Sequence, residues 1–171
     1  YVKGNPAAIL VVEFSEETWS GNLSKVDQLK EIMVSIFSEN LKKSITDQGI
    51  VIIEPLVEQN RISEMRKSGL NIMMSMKSDA KPVSFVEDCA VPLPHLADYT
   101  QGLTDIFKKH GTHGTWYAHA SVGCLHVRPI LNMKSGSDVA KMRAIALEAF
   151  ELVKKFSGSH SGEHGDGISR S

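Results

Sequence analysis

The stretch His119-Ala-Ser-Val-Gly-Cys-Leu-His126 carries two metal-capable side chains at the ends of a run that reads as two strands joined by a turn. If Val122 and Gly123 form a two-residue hairpin loop, Ser121 faces Cys124, Ala120 faces Leu125 and His119 faces His126. Directly opposed residues leave the same face of a sheet, with Cβ atoms roughly 4.5–5.5 Å apart. Two imidazole nitrogens so placed reach one cation at about 2.0–2.1 Å each. Val122 works against that register, because a β-branched residue resists the positive φ of a tight hairpin turn. The spacing alone leaves two readings open: a metal pair, or two unrelated strand histidines.

A second cluster lies near the C-terminal end, in Ser161-Gly-Glu-His-Gly-Asp-Gly167. Glycines around Glu163 and His164 let the backbone approach a neighbour closely and take unusual φ values. Composition alone favours a flexible linker there, yet a plain linker has little need of Glu, His and Asp between glycines. A carboxylate beside two imidazoles would complete a three-ligand site with an open position, as a catalytic metal requires.

The elements that must position these residues follow from hydrophobic period. Residues 7–14, 50–53, 83–91, 115–121 and 124–131 read as strands. Apolar residues at helical spacing mark helices at about 24–42, 61–69, 96–110 and 139–153, the last with Ser137 as its cap and the third stopped by Gly111. Met73, Met74 and Met76 read as core filling or interface. The expected fold class is α+β: a two-layer sandwich whose mostly antiparallel, ferredoxin-like sheet carries helices on one face. Residues 1–171 are expected to be one domain.

The bulk numbers restrict the partners. Lys plus Arg number 19 against 20 Asp plus Glu, a net charge of -1. That balance gives no support for a nucleic-acid or membrane-surface partner. No apolar run is long enough to span a bilayer. Cys89 and Cys124 form no CxxC pair, so no iron–sulfur cluster or zinc ribbon is encoded in these residues, and a reducing cytoplasm suits them. A start at Tyr1 and a stop just past the glycine-rich stretch read as a piece of a longer protein; the other reading is a small protein with trimmed ends.

Taken together, His119 to His126 with Val127-Arg128-Pro129 after it, and Gly162-Glu-His-Gly-Asp-Gly167, resemble the C-terminal domain of the FAD-linked oxidase family. That family includes D-lactate dehydrogenase, the glycolate oxidase flavin subunit and D-2-hydroxyglutarate dehydrogenase. The wording CLHVRPILN and GEHGDGISRS is similar to its large members, which join a flavin domain to a C-terminal iron–sulfur domain. The resemblance implies that His119, His126 and Glu163 hold a divalent metal, with zinc favoured over manganese or iron. It implies that His164 is the general base and that Arg66 meets the substrate carboxylate. Arg128, two residues past His126 and on the same strand face, is a second candidate for that role. Asp88 matches an acid of structural role. FAD would be bound mainly by another domain of the parent chain, so the cofactor-binding residues are not assigned here. A 4Fe-4S cluster would sit in a further C-terminal part. The substrate would be a small D-2-hydroxy acid, the electron acceptor is open, and a homo-oligomer and a peripheral place at the inner membrane are allowed.

Two positions depart from the pattern. Cys124 stands where relatives carry an asparagine that contacts substrate, and Val86 stands where some carry a lysine. Both bear on which substrate is used. Two other readings of the chain remain: a flavin-independent metal hydrolase or lyase built on the same triad, and a non-catalytic α/β ligand-binding or dimerisation domain. His95, His110, His113 and His160 read as structural or exposed, and Cys124 as a packing residue.

Overall fold

The computed structural model describes residues 1–2, 5–36, 49–165 and 167. The chain divides into two compact units, Tyr1–Met65 and Arg66–Ser171. Among the described residues the elements are α1 (Trp19–Ile36), α2 (Leu56–Met74), β1 (Lys81–Pro82), β2 (Cys89–Ala90), α3 (Leu96–Lys109), β3 (Gly114–His119), β4 (Cys124–Leu131) and α4 (Gly136–Lys155). Helices with a small antiparallel sheet make the α+β class a plain observation.

Strand β4 is the axis of the sheet. β3 pairs antiparallel with it from Gly114↔Pro129 to His119↔Cys124. β1 and β2 also pair with it, at Lys81↔Leu131 and Cys89↔Leu125. Ile130 N donates towards β3, to His113 O, whereas Pro129 O accepts from Val83 N. Successive backbone groups of a strand point to opposite edges, so β1 and β2 share the edge away from β3. The expected strand 83–91 is therefore broken: its ends pair with β4 and residues 84–88 leave the ladder between them. Ala90 also bridges Ser159 beyond α4. A fourth full strand, which a ferredoxin-like order needs, is a single bridge among the described residues.

Alternation along β4 separates the two faces. Leu125, Val127 and Leu131 are buried in the core with Tyr99, Leu103 and Phe107 of α3 and Ile145, Ala149 and Val153 of α4. Burying such side chains contributes roughly 1.5–3 kcal/mol each. Cys124, His126 and Arg128 point to the other face, which no helix of the core covers. Gly114 keeps β3 close to the core, since a Cβ there would lie 2.8 Å from Phe107 and 2.9 Å from Val127.

Several expectations need correction. Residues 7–14 and 50–53 form no strand. Neither finds a ladder partner among the described residues, and Ile9 and Leu10 are 62% and 64% exposed. An apolar β-branched run becomes a strand only where a neighbour takes its backbone groups. The first helix ends at Ile36 as described, and residues 37–42 of its expected span lie outside the described residues. The second runs Leu56–Met74, longer than 61–69, and takes in Met73 and Met74. Met74 and Met76 are exposed, not core filling. Helix α4 starts after Ser135, two residues before the expected cap.

Candidate functional site

The hairpin between β3 and β4 does not turn on two residues. Ala120–Val122 form a turn of 3₁₀ helix, and Gly123 takes φ 71°, ψ 14°. The left-handed residue is thus the glycine, and Val122 is spared a positive φ. The register follows: His119 pairs with Cys124, and His126 pairs with Tyr117. The expected His119–His126 opposition is corrected to a diagonal. A shift of two residues preserves the face, so the rings still meet, with centroids 5.0 Å apart and planes at 86°.

Residues 161–165 pass over this face and bring the other two side chains. Glu163 Oε1 lies 3.0 Å from His126 Nε2, 3.1 Å from His164 Nε2 and 3.6 Å from His119 Nε2. The rings of His126 and His164 stack 4.9 Å apart with planes 7° from parallel. His164 therefore reaches the same oxygen as the histidines expected to be ligands. His126 is buried, whereas the side chains of His119, Glu163 and His164 are 40%, 45% and 40% exposed, so the cluster is walled on the sheet side and open on the other.

The strand break supplies the layer behind. Glu87, 1% exposed, accepts from His126 Nδ1 through its backbone oxygen at 2.8 Å. A carbonyl oxygen only accepts, so the Nδ1 proton is committed there and Nε2 faces Glu163 as a lone pair or as a second proton. The Glu87 carboxylate takes His164 Nδ1 at 3.3 Å through Oε1, and Arg128 Nε (3.0 Å) and Nη2 through Oε2. Arg128 Nε also donates to Ser84 Oγ at 2.9 Å. The strand period placed Arg128 on the site face, and there it offsets the charge of a buried acid.

Asp88, next in the chain, faces the 161–165 segment. Burial pushes its carboxyl pKa up, but bonds from Ser161 Oγ and the His164 and Glu163 amides, with the charge of His164, outweigh this and hold it below its ordinary value. The Cys124 thiol lies 3.8 Å from Asp88 Oδ1. Burial first, then the negative charges of Asp88 and Glu163, push that thiol up to about 11. It is a neutral packing group at pH 7, not a thiolate.

Arg66 reaches the site from α2. Its Nη2 donates to Tyr117 Oη at 2.9 Å, and its guanidinium carbon lies 5.5 Å from that ring's centre. Tyr117 in turn stacks on His126 at 5.8 Å. Sequence reasoning missed Tyr117 and Glu87. Tyr117 was findable, because it stands two residues before His119 and so shares its face. Glu87 gave a weaker signal, an acid inside an apolar run, where a buried charge must have a partner. The remaining histidines sit apart: His95 against Phe156, His110 on Glu148 and His160 against Phe150, with His113 exposed.

Three imidazoles and a carboxylate suit a divalent cation. With Glu87 balanced by Arg128 and Asp88 by backbone amides, Glu163 is the carboxylate left facing the three imidazole Nε2 atoms, a donor set that suits a cation between them. Asp88, His126, Glu163 and His164 offer ligand atoms within 4.8 Å of one another.

The family model "FAD linked oxidases, C-terminal domain" matches residues 3–171. The chain is similar to D-2-hydroxyglutarate dehydrogenase of Haemophilus influenzae, 31% identical over 159 residues, which is 92% of this chain and 15% of that protein. It is 35% identical over 120 residues to D-2-hydroxyglutarate dehydrogenase of Escherichia coli K12, 70% of this chain and 12% of that one. It is 26% identical over 106 residues to glycolate oxidase subunit GlcD of Bacillus subtilis, 62% of this chain and 22% of that subunit. The chain thus spans less than a quarter of the length of each of these relatives. No solved structure matches significantly. With a family model covering all but its first two residues, the chain belongs to the FAD-linked oxidase C-terminal domain family.

Proposed function

We propose that residues 1–171 form the substrate-side domain of a flavin-dependent dehydrogenase that oxidises a D-2-hydroxy acid to the 2-oxo acid. The single observation that carries this reading is the meeting of His119, His126 and His164 Nε2 at one oxygen of Glu163, on an open sheet face. His119, His126 and Glu163 are the residues that would hold a divalent cation, zinc before manganese or iron. A cation there supplies a Lewis acid that lowers the pKa of the substrate hydroxyl, and FAD, bound by a domain outside these residues, supplies the acceptor for the C2 hydride.

The chain's own residues do the rest. His164 takes the hydroxyl proton at Nε2, with its Nδ1 proton held by Glu87. Arg66 would meet the substrate carboxylate, and its bond to Tyr117, which stacks on His126, sets it beside the histidines. Arg128 adds positive charge behind Glu87 and is the second candidate for that carboxylate. The buried Cys89 and Cys124, neither of them in a disulfide, fit a cytoplasmic setting, and no described helix is long and apolar enough to cross a membrane. The relatives' greater length leaves room for a flavin domain and a 4Fe-4S domain elsewhere in the parent protein.

The test is anaerobic flavin reduction in the full-length protein. D-2-hydroxyglutarate, D-lactate and glycolate are mixed with it and the flavin absorbance followed. Bleaching by one of these, and at least about 100-fold slower bleaching by the L-enantiomer of a chiral one, is expected from a site that orients the C2 hydrogen. A colourless protein, or a flavin that none of the three reduces, rejects the reading.

A further inference from the structure

The segment that carries Glu163 and His164 is neither helix nor strand, so something must hold it over the sheet. One residue does most of this. Asp88 Oδ2 accepts from Ser161 Oγ at 2.7 Å and from the His164 amide at 2.8 Å, and both of its carboxylate oxygens lie 3.3 Å from the Glu163 amide. Its backbone oxygen accepts from the Gly162 amide at 2.6 Å. Ser161 Oγ, itself bound to Asp88, accepts from the Gly165 amide at 2.8 Å. Gly162 makes the close approach, since a Cβ there would lie 3.1–3.2 Å from Ala90 Cβ, Cys124 Sγ and Asp88 O.

We infer that Asp88 is the positioning residue of the metal site: its carboxylate orders residues 161–165 so that Glu163 and His164 meet the histidines of the sheet. The inference rests on the metal reading given above. Successive amides converging on one carboxylate form an anion nest, here filled by a side chain of the same protein. Ordering a loop costs backbone entropy at every residue fixed, and a ligand must be held within about 0.5 Å of its working place. Without the nest, Glu163 would pay that ordering cost each time a cation bound.

Asp88 is close enough to be mistaken for a ligand. Its oxygens already serve other groups, however: Oδ2 the Ser161 hydroxyl and the His164 amide, Oδ1 the Cys124 thiol and the Glu163 amide. A carboxylate engaged by this many donors has little lone-pair capacity left for an ion.

The experiment uses the full-length protein stripped of metal. Zn²⁺ affinity is measured by competition with a chromophoric chelator, and hydrogen exchange is followed in peptides covering residues 161–165 and 114–131. Asp88→Ala is expected to weaken Zn²⁺ binding by about 10–100-fold, with faster exchange confined to the first peptide. Asp88→Asn, which keeps one acceptor oxygen, should fall between and carries the test if the alanine variant fails to fold. His126→Ala separates the two claims. If it binds Zn²⁺ like the wild type, the metal reading fails. If it loses Zn²⁺ while Asp88→Ala and Asp88→Asn keep wild-type affinity, the role of Asp88 is overturned. Loss of Zn²⁺ in Asp88→Asn with unchanged exchange at 161–165 also overturns it, because that is how a direct ligand behaves.

Discussion

At the scale of single residues, the division of labour falls between atoms less than 4 Å apart. Glu163 Oε1 meets His126 and His164 at nearly equal distance, so distance does not tell ligand from base. The second nitrogen of each ring supports the roles proposed above. His126 Nδ1 ends on a neutral carbonyl, whereas His164 Nδ1 ends on a carboxylate, which stabilises the imidazolium formed when Nε2 accepts a proton. His164→Ala should therefore keep the metal and slow flavin reduction by about 10²–10⁴-fold. Equal loss of metal in His164→Ala and His126→Ala would show that both are ligands. Arg66→Ala should raise KM by roughly 10–100-fold, the value of a charge-assisted bond of about 1.5–3 kcal/mol, with a smaller change in kcat; steady-state kinetics on the parent protein checks it. The sequence showed which residue types were present, and the two histidines share a face because the turn is longer than expected by two residues, an even number. It did not show which partner each one meets, because that depends on how many residues the turn consumes.

At the scale of elements, the turn decides that register. Gly123 sits at φ 71°, and a Cβ on it would lie 2.0 Å from Val91 O. Gly123→Ala is expected to cost about 1–3 kcal/mol in backbone strain alone, and more from the collision, read as a lowered thermal midpoint. The two helices behind the sheet are tied by Glu148, which meets Lys109 at 2.9 Å and His110 at 2.8 Å. The bonds from Lys109 and His110 hold its carboxyl below the ordinary value despite some burial. A lowered folded pKa adds stability above the unfolded value and loses it as the pH falls through the folded one. The pair is part-exposed, so Glu148→Gln should cost no more than about 1 kcal/mol at pH 7. That difference should vanish in acid; a difference that persists at low pH would contradict the ion pair. Helices α3 and α4 were readable from their apolar period because each buries its own stripe. The strands at 7–14 and 50–53 were misread because a strand needs a partner, and composition does not say whether one is present.

At the largest scale, within the unit Arg66–Ser171, the core lies on one side of the sheet and the histidine cluster on the other. The two are joined by β4, whose alternate residues serve both. Phe107→Ala, deep in the core, should cost about 3–5 kcal/mol in stability without removing any group from the open face. Flavin reduction per folded molecule should then stay near wild type at a temperature where the variant remains folded. The break between β1 and β2 is what an apolar run conceals: Val86 is buried as a core residue, while Glu87 and Asp88 leave the ladder to hold His164 and the glycine-rich segment. The most direct test of the proposed centre is the metal content of the full-length protein, measured by mass spectrometry without a histidine tag. One divalent ion per chain in the wild type, lost in both His126→Ala and Glu163→Gln, is the result expected. A wild type without stoichiometric metal even after reconstitution, or a His126→Ala protein that keeps it, would contradict the centre proposed here.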